Sequence, residues 1–507
     1  MILKLILLVV FFGIMIGVGF YSRRHATNVN DFVLGGRTVG PWLTAFAFGT
    51  SYFSSVVFVG YAGQFGWKYG MSATWIGIGN ALIGSLLAWI VLGRRTRVMT
   101  NHLSSATMPE FFGKRFESHS LKIAASTIVF IFLIPYTASV YNGLSRLFSM
   151  AFDIPYKVCI IVMALLTGVY VIAGGYMATA INDFIQGIIM IIGIVAVIAA
   201  VLSGQGGFIE AIGKLAQFES DIEPTIGQPG AFTSFFGPDP VNLLSVVILT
   251  SLGTWGLPQM VHKFYAIKDE ESIKTGTIIS TAFAVIVAGG SYFLGSFVRL
   301  FDDPSVHNET GGMIYDALMP HMLSTLPDIL VGIVVVLVLS ASMSTLSSLV
   351  LTSSSTLTLD MIKGTIIKDM SEKKQLSCMR IFIAFFIVLS VTIALNPPTF
   401  IAQLMGISWG ALAGAFLGPF IFGLYWRKTT KGAVWASFIV GIGITVANML
   451  FSFTSPITAG AMAMLSSLVV VPVVSLVTPK LTDESTDAIF ECYTETVIVS
   501  KKKSLEP

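Results

Sequence analysis

Apolar runs of about 20 residues recur along the whole chain, each long enough to cross a ~30 Å hydrocarbon core as a helix. Nothing else in the sequence restricts its fold as much. Only 11% of the 507 residues are charged, against roughly 25% in a soluble protein, so a water-facing globule of this size could not be covered. The bilayer is the expected solvent. Reading the runs between charged, Pro-rich and Gly-rich breaks predicts an all-α polytopic protein of about 13 spans. The first run, 3–21, is followed by Arg23 and Arg24 and not preceded by charge, which reads as a retained span and not a signal peptide.

Lysine and arginine stay cytoplasmic in short loops because carrying them across a membrane is unfavourable. Alternate loops hold Arg23/Arg24/Arg37, the cluster from Arg94 to Arg115, Lys263/Lys268/Lys274, Lys363 to Arg380, and Arg427 to Lys431. With Lys122 and the tail, these gather about 24 of the 30 basic residues on one side. The opposite loops carry Glu210, Asp221, Glu223, Asp302, Asp303 and Glu309 instead. The N-terminus is therefore expected outside a cell membrane and the C-terminus inside, which demands an odd number of spans. The segments 203–240 and 301–327 are expected as external loops, with short surface helices or a lid role. Residues 480–507 are polar and are expected to be a disordered cytoplasmic tail.

The net charge of +3 argues for no nucleic-acid partner. Cys159, Cys378 and Cys492 form no CxxC pair, so neither a zinc site nor a disulfide framework is readable. No phosphate-binding Gly-Lys-Ser/Thr loop occurs, and no paired carboxylates or His-metal cluster fall within the spans, so no enzyme is read here. All six histidines fall in loops or near membrane edges and read as solvated residues.

Two spans are interrupted. The second, about 41–66, reads Gly49-Thr50-Ser51-Tyr52-Phe53-Ser54-Ser55 near its middle, and the seventh, about 241–266, reads Gly253-Thr254-Trp255-Gly256-Leu257-Pro258-Gln259. Breaks inside lipid are tolerated only where protein or a watery cavity receives the freed backbone groups. One reading is a pair of kinked packing helices. The other follows from their separation by five spans: corresponding members of two inverted repeats, with a solute and its coupling ion at the midplane. The ninth span, about 328–361, is crowded with hydroxyls from Ser340 through Ser344, Thr345 and Ser348 to Thr358. Such oxygens suit a hard cation, although single hydroxyls in membrane helices commonly bond their own backbone. Asp183, in Thr179 to Gln186, is either a helix cap or a candidate intramembrane site for a cation or a proton.

These residues resemble the sodium/solute symporter family, which includes sodium/proline, sodium/pantothenate and sialic-acid symporters and the sodium/glucose cotransporters. The similarity is carried by Asp31 to Arg37 before Gly40-Pro41-Trp42, by Gly174-Gly175 with Asp183 and Gln186, by Met343-Ser344-Thr345-Leu346-Ser347, and by Gly418-Pro419. The resemblance implies a LeuT-type core of two inverted five-helix repeats. On this chain they fall at 41–202 and 241–424, with residues 1–40 and 425–479 peripheral. It also implies Na+ as coupling ion, held by the backbone carbonyls of Thr50, Phe53 and Ala341 and the hydroxyls of Ser344 and Thr345, with Asp183 standing where relatives that use a second sodium have an aspartate contributing to it. One departure stands out: proline-type members carry an aspartate where this chain has Tyr52. Tyr52, Tyr61, Gln64, Thr254, Trp255 and Gln259 are the candidates for substrate contact or gating. The expected function is sodium-coupled import of a small organic solute, such as an amino acid, pantothenate or a small carboxylate, by alternating access. A transporter-like sensor or channel is the alternative.

Overall fold

The computed structural model describes residues 2–22, 28–363, 366–367 and 369–499. Arg23, Arg24 and Lys368 of the basic loops lie outside them. Nine helices are long and apolar enough to span a membrane, and the bent pair Pro240–Gly256 and Pro258–Ala266, at 45°, makes a tenth. The remaining segments emerge from what the helices touch.

Val56–His102 runs for 47 residues, but its partners reverse order. A side chain at Gly49 would meet Phe283 and one at Gly66 would meet Gly295, whereas Gly77 lies against Gly289 and Gly276 against Trp89. The chain therefore climbs beside Glu270–Gly295 and descends along it again. It turns at Gly70, whose φ of +58° is open to glycine at little cost. Tyr156–Gly204 folds back likewise at Gly175, φ +57°. Thr167 reaches Met343 at 3.4 Å and Asp183 faces the adjacent Ser344, though sixteen residues of straight helix span ~24 Å. With Ile2–Ser22, thirteen membrane-length segments result among the described residues.

Prolines open several of them, at Pro41, Pro240, Pro258 and Pro456, where the missing N–H costs nothing. The ninth span, Asp328–Ile362, and the eleventh, Ile401–Tyr425, are the most enclosed. Every residue from Val334 to Ser355 on the ninth except Val336 is buried.

Several arginines of the basic loops are tied to backbone. Arg37 donates to the carbonyls of Tyr265, Thr100 and Ser105, Arg97 to Ile267 at 2.7 Å and Arg115 to Gly423 at 2.9 Å. Apart from that of Ser105, which lies in a loop, these are carbonyls at helix C-termini, which lack intrahelical donors and carry partial negative charge. Lys263, expected in a basic loop, and His262, expected to be solvated, are buried on Pro258–Ala266. The His262 ring packs 5.6 Å from that of Tyr176.

The loop 203–240 contains the helix Phe208–Leu215, and 301–327 contains Tyr315–Ser324. The tail does not fit the expected disorder over most of its length, because Asp483–Val499 is helical. Arg95 lies between the rings of Tyr425 and Tyr493 at 4.1 and 4.5 Å, and Ile489, Phe490 and Cys492 are buried. A polar composition hid an apolar stripe long enough to dock. Residues 500–507 lie outside the described part.

Candidate functional site

The second span stops at Tyr52. Phe53 is extended, with φ −93° and ψ 120°, and Val56–Tyr61 resumes as a π-helical segment. The seventh stops at Gly256, with Leu257 equally extended, and Pro258 begins a new helix. At the first break the carbonyls of Thr50, Ser51 and Phe53 turn toward the ninth span, and at the second Pro258 brings no N–H to the helix that ends before it.

Thr345 on the ninth span sits opposite the first break. Its Oγ1 lies 3.3 Å from the carbonyl oxygens of Thr50 and Ser51, 3.4 Å from that of Phe53 and 3.1 Å from that of Ala341. A hydroxyl carries one proton, so it can satisfy one of these four acceptors and leaves the others as bare lone pairs. Ser344 Oγ donates to Thr50 Oγ1 at 2.7 Å, and Thr50 Oγ1 passes its own proton to the carbonyl of Phe46. The cluster is thus rich in oxygen and poor in protons. An octahedral shell around a hard cation at ~2.4 Å has oxygen–oxygen edges of about 3.4 Å, which matches these separations. All five residues expected to hold sodium meet here, and the carbonyl of Ser51 joins them.

A second polar group adjoins the first. Asp183 lies well inside the helix that begins at Gly175, so the capping reading does not hold. It is buried, with Lys263 Nζ 3.7 Å from Oδ2. Lys263 Nζ also donates to Ser348 Oγ at 3.0 Å, and Ser348 pairs with Ser51 at 2.8 Å. Ser51 and Ser348 stand in the interrupted and hydroxyl-rich stretches of the sequence without a role of their own, and Lys263 reads there only as a residue of a basic loop. The usable signal for Lys263 was Pro258, which restarts a helix and carries the lysine inward.

The substrate and gating candidates divide into three sets. Tyr52 packs against Trp409 at 6.0 Å, and the side-chain amide of Gln259 is buried with no hydrogen-bond partner among the described residues. Thr254 and Trp255 are already engaged, donating to the carbonyls of Gly84 and Ile83 at 2.9 Å, which ties the seventh span to the third. Tyr61 donates to the carbonyl of Ala402 at 3.3 Å, while Gln64 lines a 190 Å³ vestibule with Lys68, Asp239 and Gln403. On the basic side a 620 Å³ cavity is lined by Arg37, Glu110, Lys122 and Lys363 among others. No group of three or more His, Cys, Asp or Glu side chains suited to a metal ion occurs among the described residues.

Two broken helices facing a hydroxyl-bearing span define a cation-coupled transporter. The fold agrees: a Na+-coupled sialic acid symporter superposes with a TM-score of 0.73 at 18% identity, covering 94% of this chain and 98% of the other. The nucleobase-cation-symport-1 family transporter Mhp1 gives 0.55 at 12% identity, covering 90% and 97%. This is the LeuT-type fold.

The model of the Sodium:solute symporter family matches residues 32–441, and the chain belongs to that family. Among curated relatives, the osmoregulated proline transporter OpuE of Bacillus subtilis is 29% identical over 439 residues, covering 85% of this chain and 86% of the relative. The sodium/proline symporter 2 of Staphylococcus saprophyticus is 29% identical over 449 residues, covering 87% and 85%. The chain is a multi-pass membrane protein that couples solute symport to sodium.

Proposed function

We propose that the sodium ion binds where the Thr345 hydroxyl meets the carbonyls of Thr50, Phe53 and Ala341, with Ser344 completing the shell. The crowding of four carbonyls around one hydroxyl proton carries this reading. The solute lies between the breaks at Tyr52–Phe53 and Gly256–Leu257, against Tyr52 and Gln259. Tyr61 and Gln64 control entry from the vestibule side, and Thr254 and Trp255 hold the seventh break against the third span. Repeats at 41–202 and 241–424 rock about this centre. Sodium steadies the second span in its binding form, and by reciprocal linkage solute tightens sodium.

The solute is a small carboxylate-bearing molecule. The relatives' names put proline first in the panel to be tested. Tyr52, standing where proline-type members have an aspartate, offers a phenol in place of a charge, and so favours pantothenate or a simple carboxylate over a solute that needs an ion-paired amine. The basic side faces the cytoplasm, leaving the N-terminus outside and the C-terminus inside.

The test is uptake into proteoliposomes after a sodium jump, with labelled amino acids, pantothenate and carboxylates. One of them accumulates above its equilibrium distribution with wild type, and Thr345→Ala requires more sodium for the same rate. Unchanged sodium dependence in Thr345→Ala would remove the ion from this site.

A further inference from the structure

Asp183 and Lys263 form a buried charge pair inside the membrane domain, directly beside the oxygen cluster. Both side chains are almost wholly shielded from solvent, at 1% and 3% exposure. They come from different elements, the sixth span and the second half of the seventh. Their contacts lead back to the cluster on both flanks. Asp183 faces Ser344, which donates to Thr50. Lys263 donates to Ser348, which pairs with Ser51. The ring of Tyr176 lies 5.3 Å from the ammonium and contributes its π face. The carboxylate, the Ser348 hydroxyl and an aromatic face thus surround a single positive charge that the chain itself supplies.

An isolated carboxylate at this depth would be very unfavourable. Asp183 must therefore be neutralised by a proton, a dissolved cation or a tethered one. The ammonium stands in that place already. A sodium ion carries the same charge and accepts the same oxygen donors, and the two cannot occupy the position together.

We propose that Lys263 is a built-in cation filling a second cation position beside the sodium site, so that each chain binds one sodium ion and Asp183 binds none. This rests on the coupling site at Thr345. It assigns Lys263 the role of setting ion stoichiometry: removing its ammonium converts Asp183 into a ligand for a second sodium.

The experiment is equilibrium binding of radioactive sodium to purified full-length protein, which needs no knowledge of the solute. Wild type binds one sodium per chain, and Lys263→Met binds two. In Lys263→Ala, methylammonium displaces one of the two bound ions. Asp183→Asn combined with Lys263→Met returns the count to one. Two sodium ions bound by wild type, or one by a folded Lys263→Met, would overturn the proposal. Should Lys263→Met fail to fold, the wild-type count and the charge-free double variant decide. Thr345→Ala separates the two readings, because weakened binding of the single wild-type ion upholds the coupling site whatever Lys263 does.

Discussion

Ser344 donates a 2.7 Å hydrogen bond to the hydroxyl of Thr50, joining the ninth span to the second at the point where the second unwinds. This contact sets the two spans at the distance at which Thr345, the next residue, meets the freed carbonyls. The cluster is therefore sensitive to any change in their approach.

Thr345→Ala removes the oxygen shared by four carbonyl contacts. A charge-assisted contact is worth ~1.5–3 kcal/mol, so the sodium concentration for half-maximal binding rises about ten-fold or more. Thr345→Ser keeps the oxygen and stays close to wild type. Sodium titration of both variants checks this.

Tyr61→Phe deletes the hydrogen bond to the carbonyl of Ala402. The bond is worth ~0.5–1.5 kcal/mol, so the vestibule opens more often, by up to about ten-fold. The rate of thiol labelling at Gln64→Cys rises by that factor in the Tyr61→Phe background, and an unchanged rate removes Tyr61 from the gate.

A Cβ at Gly66 would stand 1.9 Å from the carbonyl oxygen of Gly295. Backbone cannot yield as a side chain does, so Gly66→Ala destabilises by ~1–3 kcal/mol or more. Gly443 has nothing within 4 Å of its Cβ position and lies inside Lys431–Phe451, so Gly443→Ala stabilises by up to about 1 kcal/mol. Thermal aggregation in detergent ranks the two.

Arg95 is held between Tyr425 and Tyr493, a cation–π arrangement worth ~0.5–2 kcal/mol per ring. Truncation before Asp483 or Arg95→Ala lowers the melting temperature, and sodium affinity stays unchanged. A fall in sodium affinity would instead link the tail to the ion site.

His307 Nε2 and Asp302 Oδ1 are 2.8 Å apart in an exposed loop. The hydrogen bond to Asp302 raises the histidine's pKa. The favourable term is complete below the ordinary histidine value and is lost as pH rises through the raised one. A histidine NMR titration of wild type has its midpoint above that of Asp302→Asn.

Composition and apolar periodicity made the membrane helices legible, because a span needs only length and the absence of charge. The breaks at Gly49–Ser55 and Gly253–Pro258 were legible for a related reason, since small residues and proline weaken a helix wherever it lies. Thr50, Phe53, Ala341, Ser344 and Thr345 came from the family resemblance, and three-dimensional contact brought them together.

What escaped the sequence were partnerships between distant residues. Lys263 read as a loop lysine because charge near a span end normally marks an interface, and Asp183 read equally well as a cap. Neither reading could include the other residue, eighty positions away. By itself the sequence determined the solvent, the helices and where they break, since these are local properties of apolar length and backbone propensity. Only the tertiary structure decided which carbonyls share one hydroxyl and which carboxylate faces which ammonium. A buried charge is tolerable or intolerable according to what stands within a few ångströms of it, and that is settled by packing.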